Sequence, residues 1–305
     1  MWIISSLDTV KTPTFVALGN FDGIHRGHQQ VIKPVLGTTH STVVTFHPHP
    51  QEFFTGQQRT LLTPLDEKAQ CLQQMGIEQL VLVPFNRALA NLTPQEFVET
   101  VLVQHLQVKQ ISVGQDFCFG RHRSGTATDL QTIAAQYDIP VEIIPLHTSD
   151  GERISSSAIR HALEQGDLQR ANHLLGKSYA LIGQVMHGQQ LGRTIGFPTA
   201  NLKLPPEKFL PRQGVYSVWV SSSEWVTHHP GVMNIGYRPT VDGTQQTIEV
   251  HLLDWTGDLY GQTLTIRLDH FLRPEQKFAS LDELKAQIQT DCEIARSRLT
   301  RHQPA

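Results

Sequence analysis

Cysteine is scarce in this sequence: Cys71, Cys118 and Cys292 are the only three in 305 residues, far apart and odd in number. No CxxC pair exists, so neither a disulfide framework nor a zinc ribbon is encoded, and a reducing compartment is expected. Long apolar runs are missing as well. No stretch approaches the ~18 uninterrupted apolar residues of a spanning helix. The opening MWIISSLDTVK has no basic start and meets Asp8 before an apolar run develops, unlike a secretory signal. The expectation is a cytoplasmic chain with no membrane partner. Basic blocks are also absent. Lys and Arg total 25 against 28 Asp and Glu, a net charge of −3, and no Lys/Arg cluster could track a phosphate backbone. Nucleic acid is therefore not an expected partner. Internal repeats and low-complexity linkers are not found, and nothing in the composition fixes an oligomeric state.

The residues that are present can build cores. Apolar residues make up 39%, with 22 Gly and 17 Pro, a mixture unlike that of a disordered chain. The length suits two modules of roughly 100 to 200 residues each. From Thr14 to Leu175 the apolar runs FVALG, STVVTF, QLVLVP, QISVG and VEIIPL alternate with helix-like stretches. This pattern predicts an α/β module with a doubly wound parallel sheet. Thr63 and Thr93 precede Pro64 and Pro94, which reads as two helix starts at Pro64 to Met75 and Pro94 to Leu106. After Gly176 the texture changes to strands punctuated by Gly and Pro, with one late helix from about Leu281 to Leu299. A small β-barrel with a helix is expected there. The modules are accordingly 1–176 and 177–305.

The run GNFDGIHRGH, Gly19 to His28, lies between the first of these strands and a helix. Open α/β sheets bind ligands at such strand ends. Gly19, Gly23 and Gly27 permit close backbone approach, and His25 and His28, three residues apart, can face one anion together with free N–H groups. In chemical terms this is a phosphate site. A second segment, Gly151, Arg153 and ISSSAIR from Ile154 to Arg160, follows the last strand. Its serines can cap N–H groups or bind phosphate, and Arg160 shares a helix face with Ser156 and Ser157. TFHPHP, Thr45 to Pro50, follows another strand, but His47 and His49 lack further identifiable ligands, so no zinc is assigned. GKS at Gly176 to Ser178 is not a Walker A loop, because Ala171 stands where its first glycine belongs and a helix-like ANHLL precedes it.

In the second module, GQVMHGQQLGRTIGFPTANL brings Gly188, Gly192 and Gly196 ahead of Thr199, Ala200 and Asn201. An extended Thr199 to Asn201 would point a hydroxyl and an amide oxygen to one side, as a magnesium ion carrying ATP phosphates requires. In TIEVHLLDW, alternation places Ile248, Val250 and Leu252 on one face and Thr247, Glu249 and His251 on the other. By pattern alone Glu249 is a solvent-facing residue.

These motifs resemble the HxGH nucleotidyltransferase superfamily. In its longer GNFDG form the first module resembles the prokaryotic bifunctional riboflavin kinase/FAD synthetase family, and the resemblance extends over nearly the whole chain. It implies two reactions: riboflavin and ATP give FMN, then FMN and ATP give FAD and pyrophosphate, without a covalent enzyme intermediate. In the first module it implies His25, His28 and Arg160 at the reacting phosphates, with ATP held by Gly19, Asn20, Phe21, Asp22, Gly23, Ser155, Ser156 and Ser157. Ser157 stands where the family's ISSTxIR element has threonine and keeps a hydroxyl. VGQDFCFGRHRSG resembles the family's VGxDFxFGxxRxG loop, implying flavin contacts from Asp116 and Phe117. GRTIGFPTANL, GVYSVWV, NIGYRPT, EVHLLDW, GDLYG and FLRPEQKF resemble the flavokinase module in order and spacing. The likeness implies ATP contacts at Gly192, Arg193, Gly196, Pro198, Thr199 and Asn201, magnesium at Thr199 and Asn201, and Glu249 as general base. Arg273 and Glu275 would lie near the flavin, and Trp255 keeps aromatic bulk where phenylalanine is usual. The implied partners are ATP, riboflavin, FMN and FAD. Two other readings stay open: an HxGH transferase with another acceptor, and a flavin-binding sensor without turnover.

Overall fold

A computed structural model of the chain describes residues 1–149, 151–188, 191–240 and 243–300. Contacts divide it into two compact units, Met1–Ser156 and Ser157–Ala305.

The first unit is built on a six-stranded sheet. Across it the strands run Trp2–Ile4, Gln79–Pro84, Ser41–His47, Thr14–Leu18, Val108–Gly114 and Val141–Ile144, and every pairing is parallel. Parallel strands covered on both faces read as continuous apolar runs, and these do. Val16, Leu18, Val44, Val81 and Ile111 face one core with Phe97, Leu102 and Leu130. Ala17, Val43, Leu80 and Leu82 face the other with Ile32 and Leu72. The doubly wound sheet expected from the sequence is thus present, with the short Trp2–Ile4 edge strand added to it. Chain order advances in one direction from Thr14–Leu18 and resumes on its other side with Val108–Gly114. The switch point lies between those two strands, where ligands bind beyond the carboxyl ends.

Both expected helix starts exist, but their caps differ. Thr93 forms a capping box, accepting from Glu96 N at 3.2 Å while Glu96 Oε2 accepts from Thr93 N at 2.8 Å. The helix Pro94–Phe97 continues as a π-helical stretch, Val98–His105. The helix Leu65–Gln74 has no side-chain cap, and Pro64 occupies its N-cap position. Thr63 bonds instead to the Gly-rich turn, because its hydroxyl and N–H meet Gly23 and Asp22 there.

The second unit is a closed antiparallel barrel preceded by two helices. Around the barrel run Ala180–Met186, Ala200–Lys203, Gly243–Leu252, His229–Thr240, Gly214–Ser222 and Thr263–Arg273, the last pairing back to the first. Tyr216, Val218, Met233, Val250, Ile266 and Leu268 are buried in it. The helix Leu281–Leu299 covers one outer face, burying Cys292, Ala295 and Leu299 against Val215, Trp219 and Val232. The preceding helices are Ser156–Gln165 and Leu168–Leu175. The second ends on Gly176, left-handed at φ 74°, whose N–H bonds Asn172 O at 2.8 Å. GKS is therefore a helix terminus and not a phosphate loop.

Candidate active sites

The first site is the turn that follows the Thr14–Leu18 strand. Phe21, Gly23 and Ile24 have φ of 49°, 93° and 43°. A left-handed backbone is unfavourable for L-residues such as Phe21 and Ile24, so the surroundings must enforce it. Thr63 Oγ1 accepts from Gly23 N at 2.9 Å, and Thr63 N donates to Asp22 Oδ1 at 3.1 Å. Lys68 Nζ donates to Asn20 O at 2.8 Å, and Ser156 Oγ donates to Asp22 O at 2.8 Å. Gly19 faces the Phe21 ring, where an added Cβ would stand 3.2 Å away.

His25 caps the helix Arg26–Ile32, its Nδ1 accepting from His28 N at 3.2 Å. The two imidazoles stack with centroids 3.6 Å apart and planes 14° from parallel. Phe21 meets His28 edge-on at 5.3 Å. Burial pushes His25 from 6.5 down to about 4, against a weaker upward pull from the Asp22 carboxylate. His25 is therefore neutral near pH 7. Because Nδ1 accepts, its proton sits on Nε2, which makes it a neutral donor. Lys68 is lowered from the ordinary lysine range by burial, with Asp22 opposing the shift.

Other sequence-derived positions divide between the two units. Asp116 forms an ion pair with Arg153. Phe117 stacks on Phe119 with centroids 5.7 Å apart and packs against the core. Ser155 is half-buried, Ser156 bonds the turn and Ser157 is exposed. Arg160 belongs to the second unit, where its guanidinium lies 5.5 Å from the Phe209 ring centroid. His49 caps the helix Pro50–Thr55 and contacts Arg59, and burial together with Arg59 lowers its pKa. Phe53 and Phe54, on that helix, form edge-to-face contacts with Phe85 at 5.4 and 5.8 Å. Phe54 is 69% exposed, an apolar ring left in solvent beyond the carboxyl ends of the strands.

The second site lies on the outer surface of the barrel. Glu249 stands directly across from Asn201 on one neighbouring strand and Asn234 on the other. Ile248, Val250 and Leu252 are buried, so Glu249 faces away from the barrel interior, as the alternation predicts. Thr199 Oγ1 donates to Glu249 Oε2 at 3.4 Å, and Asn234 Nδ2 donates to Glu275 Oε1 at 3.2 Å. His251 Nδ1 donates to Pro198 O at 2.7 Å and fixes the loop before Thr199. A Cβ on Gly188 would fall 2.2 Å from Asn201 Nδ2, and one on Gly192 would fall 2.3 Å from Phe197 O. Arg193 and Gly196 are exposed, Gly196 with φ 91°. Arg273 is engaged by buried Asp291 at 2.8 to 3.1 Å and by Pro274 O at 3.1 Å, which ties the strand end to the last helix.

Two family models match the chain, in the same order as its two units. The model described as FAD synthetase matches residues 7–158, and the one described as riboflavin kinase matches residues 175–299. A curated relative from Escherichia coli strain K12, named bifunctional riboflavin kinase/FMN adenylyltransferase, is 43% identical over 302 residues, covering 95% of this chain and 94% of its own. The chain belongs to this family. A relative of the same name from Haemophilus influenzae is 40% identical over 288 residues, covering 92% of this chain and 93% of its own. A crystal structure from Streptococcus pneumoniae, titled a macrolide-efflux protein, shares the fold at a TM-score of 0.85 and 32% identity, over 96% of this chain and 98% of that one.

Within this bifunctional family framework, sequence reasoning missed Thr63 and Lys68 at the first site and Asn234 and His251 at the second. Thr63 lies 40 positions from Gly23, and only tertiary contact joins them. Asn234 had a usable signal, since NIGYRPT was already matched and Asn234 is its first residue. The exposed pair Phe53 and Phe54 was legible as an apolar doublet after a Pro-rich turn.

Proposed function

We infer that this chain phosphorylates riboflavin to FMN on its barrel unit and adenylylates FMN to FAD at its sheet-edge turn. The observation that carries the inference is the presence of two separate constellations, each assembled from its own set of residues. At the turn, the His25 Nε2–H, His28 and the backbone N–H groups supply donors where phosphate charge redistributes, while a phosphate oxygen of FMN attacks the α-phosphorus and pyrophosphate departs. The exposed Phe53 and Phe54 rings suit a planar tricyclic group. Asp116, Phe117, Ser155, Ser157 and Arg160 enter this proposal through their family motifs.

On the barrel, Glu249 is the base that takes the proton of the ribityl hydroxyl as its oxygen attacks the γ-phosphorus and ADP departs. Asn234 and Glu275 would line the flavin side, with Arg273 holding the strand end in place. The donor set fits magnesium: a hydroxyl and an amide oxygen are hard ligands, and Gly188 and Gly192 let the loop close against Asn201 and Phe197 where a Cβ would collide. Thr199 and Asn201 would hold the ion, which when bound neutralises phosphate charge. In this proposal residues 1–176 serve adenylyl transfer and 177–305 serve the kinase, in a cytoplasmic setting suited to three free cysteines. No described helix is long and apolar enough to cross a membrane.

The test incubates the purified chain with riboflavin, ATP and magnesium and separates the flavins by chromatography. FMN appearing first and FAD following is the expected result. Tight flavin binding without either product would overturn the inference in favour of a sensor, and adenylylation of an unrelated phosphate acceptor alone would favour a different transferase.

A further inference from the structure

We propose that Lys68 is a positioning residue for adenylyl transfer, orienting the Asn20–Phe21 peptide and countering the Asp22 carboxylate so that the phosphate-facing turn is preset. The proposal rests on the adenylyltransferase reading above.

Lys68 is 8% exposed, on a helix whose other buried side chains are Ala69 and Leu72. An ammonium there is expensive to desolvate, and methionine would fill similar space without that cost. Its Nζ donates to Asn20 O at 2.8 Å. In a trans peptide the carbonyl and the following N–H point in opposite directions. Drawing Asn20 O onto Lys68 therefore aims Phe21 N–H away from the lysine, and that N–H has no protein acceptor among the described residues. Asp22, 5% exposed, lies within electrostatic reach of the ammonium and takes Thr63 N on Oδ1, while Thr63 Oγ1 accepts Gly23 N. The bonds thus fix consecutive peptides of a turn that contains left-handed Phe21, Gly23 and Ile24. Lys68 holds a strained backbone in the one orientation that presents its donors.

The test compares full-length wild type with Lys68→Met and Thr63→Val, reading FMN-to-FAD turnover, FMN affinity by fluorescence and riboflavin phosphorylation. Lys68→Met is expected to lower kcat for FAD formation about 10- to 100-fold, as misplaced donors do, with FMN affinity and riboflavin phosphorylation unchanged. Thr63→Val, which removes only the acceptor for Gly23 N, should lower the same kcat in the same selective way. Wild-type kcat in Lys68→Met overturns the proposal. If Lys68→Met does not fold, Thr63→Val decides: selective loss of kcat supports the preset turn, and an unchanged rate overturns it. A wild-type chain that makes no FAD from FMN would instead defeat the underlying reading.

Discussion

His25 and His28 divide the work of one small turn. His25 is buried and spends Nδ1 on the helix start, so its remaining donor is fixed in direction before any ligand arrives. His28 stacks on it and on the edge of Phe21, and its replacement should not open a core. His28→Ala should slow FAD formation by about 10²- to 10³-fold, the usual cost of one preorganised donor, while riboflavin is still phosphorylated and FMN accumulates. The comparison is FMN-to-FAD conversion at saturating ATP, and an unchanged rate would remove His28 from the phosphate site. His25 also leaves a mark on stability. Its folded pKa, lowered to about 4 from 6.5, means that below pH 6.5 the unfolded chain takes up a proton that the folded chain refuses. Stability is thus undiminished by His25 above pH 6.5 and is lost as pH falls toward 4. Asparagine retains a capping oxygen but cannot titrate, so His25→Asn should reduce the loss between pH 6.5 and 5 by on the order of 2 kcal/mol. Urea unfolding of the first unit at the two pH values measures this, and parallel pH profiles for variant and wild type would contradict it.

Elements were legible where the local pattern alone determines them. The four interior strands of the sheet are apolar runs, and their burial on both faces leaves no other reading. The strand Ala200–Lys203 is short, and His229–Thr240 carries Pro230, Gly231 and Gly236, so pattern argues against strands that barrel closure nevertheless requires. Thr63 looked like a cap because the sequence shows only its neighbour Pro64 and not Gly23 across the turn. Gly188 and Gly192, in the loop before Thr199, stand against the chain itself. A Cβ on Gly192 would collide with the Phe197 carbonyl, a backbone atom that cannot swing aside, and would crowd Thr199 Oγ1 at 3.3 Å. Gly192→Ala should therefore displace Thr199 from Glu249 and abolish most riboflavin phosphorylation, while FAD formation from supplied FMN continues. Normal kinase turnover in that variant would mean that the loop is not part of the site.

At the scale of the whole molecule, composition and texture revealed two modules, but a change of texture marks where strands begin and not where a core ends. The helices Ser156–Gln165 and Leu168–Leu175 look like the close of an alternating α/β pattern, yet from Ser157 onward they belong to the barrel's compact unit. Arg212 N donates to Leu163 O at 2.9 Å, Tyr179 N to Asn172 Oδ1 at 2.7 Å, and Asn172 Nδ2 to Leu268 O at 3.2 Å. Leu163, Leu168, Leu174 and Leu175 are each at most 2% exposed. A fragment of residues 157–305 should consequently fold and phosphorylate riboflavin at the full-length rate. One beginning at residue 178 keeps every proposed kinase residue but loses those leucines. At roughly 1.5 to 3 kcal/mol for each buried leucine, and with burial giving an upper bound, its stability should fall by several kcal/mol. Riboflavin phosphorylation and thermal unfolding of both fragments separate the cases. If 157–305 folds and binds riboflavin but does not phosphorylate it, the kinase needs residues from the first unit. If 178–305 is as stable as the longer fragment, the two helices contribute nothing to the barrel, and the boundary of its core lies at Gly176.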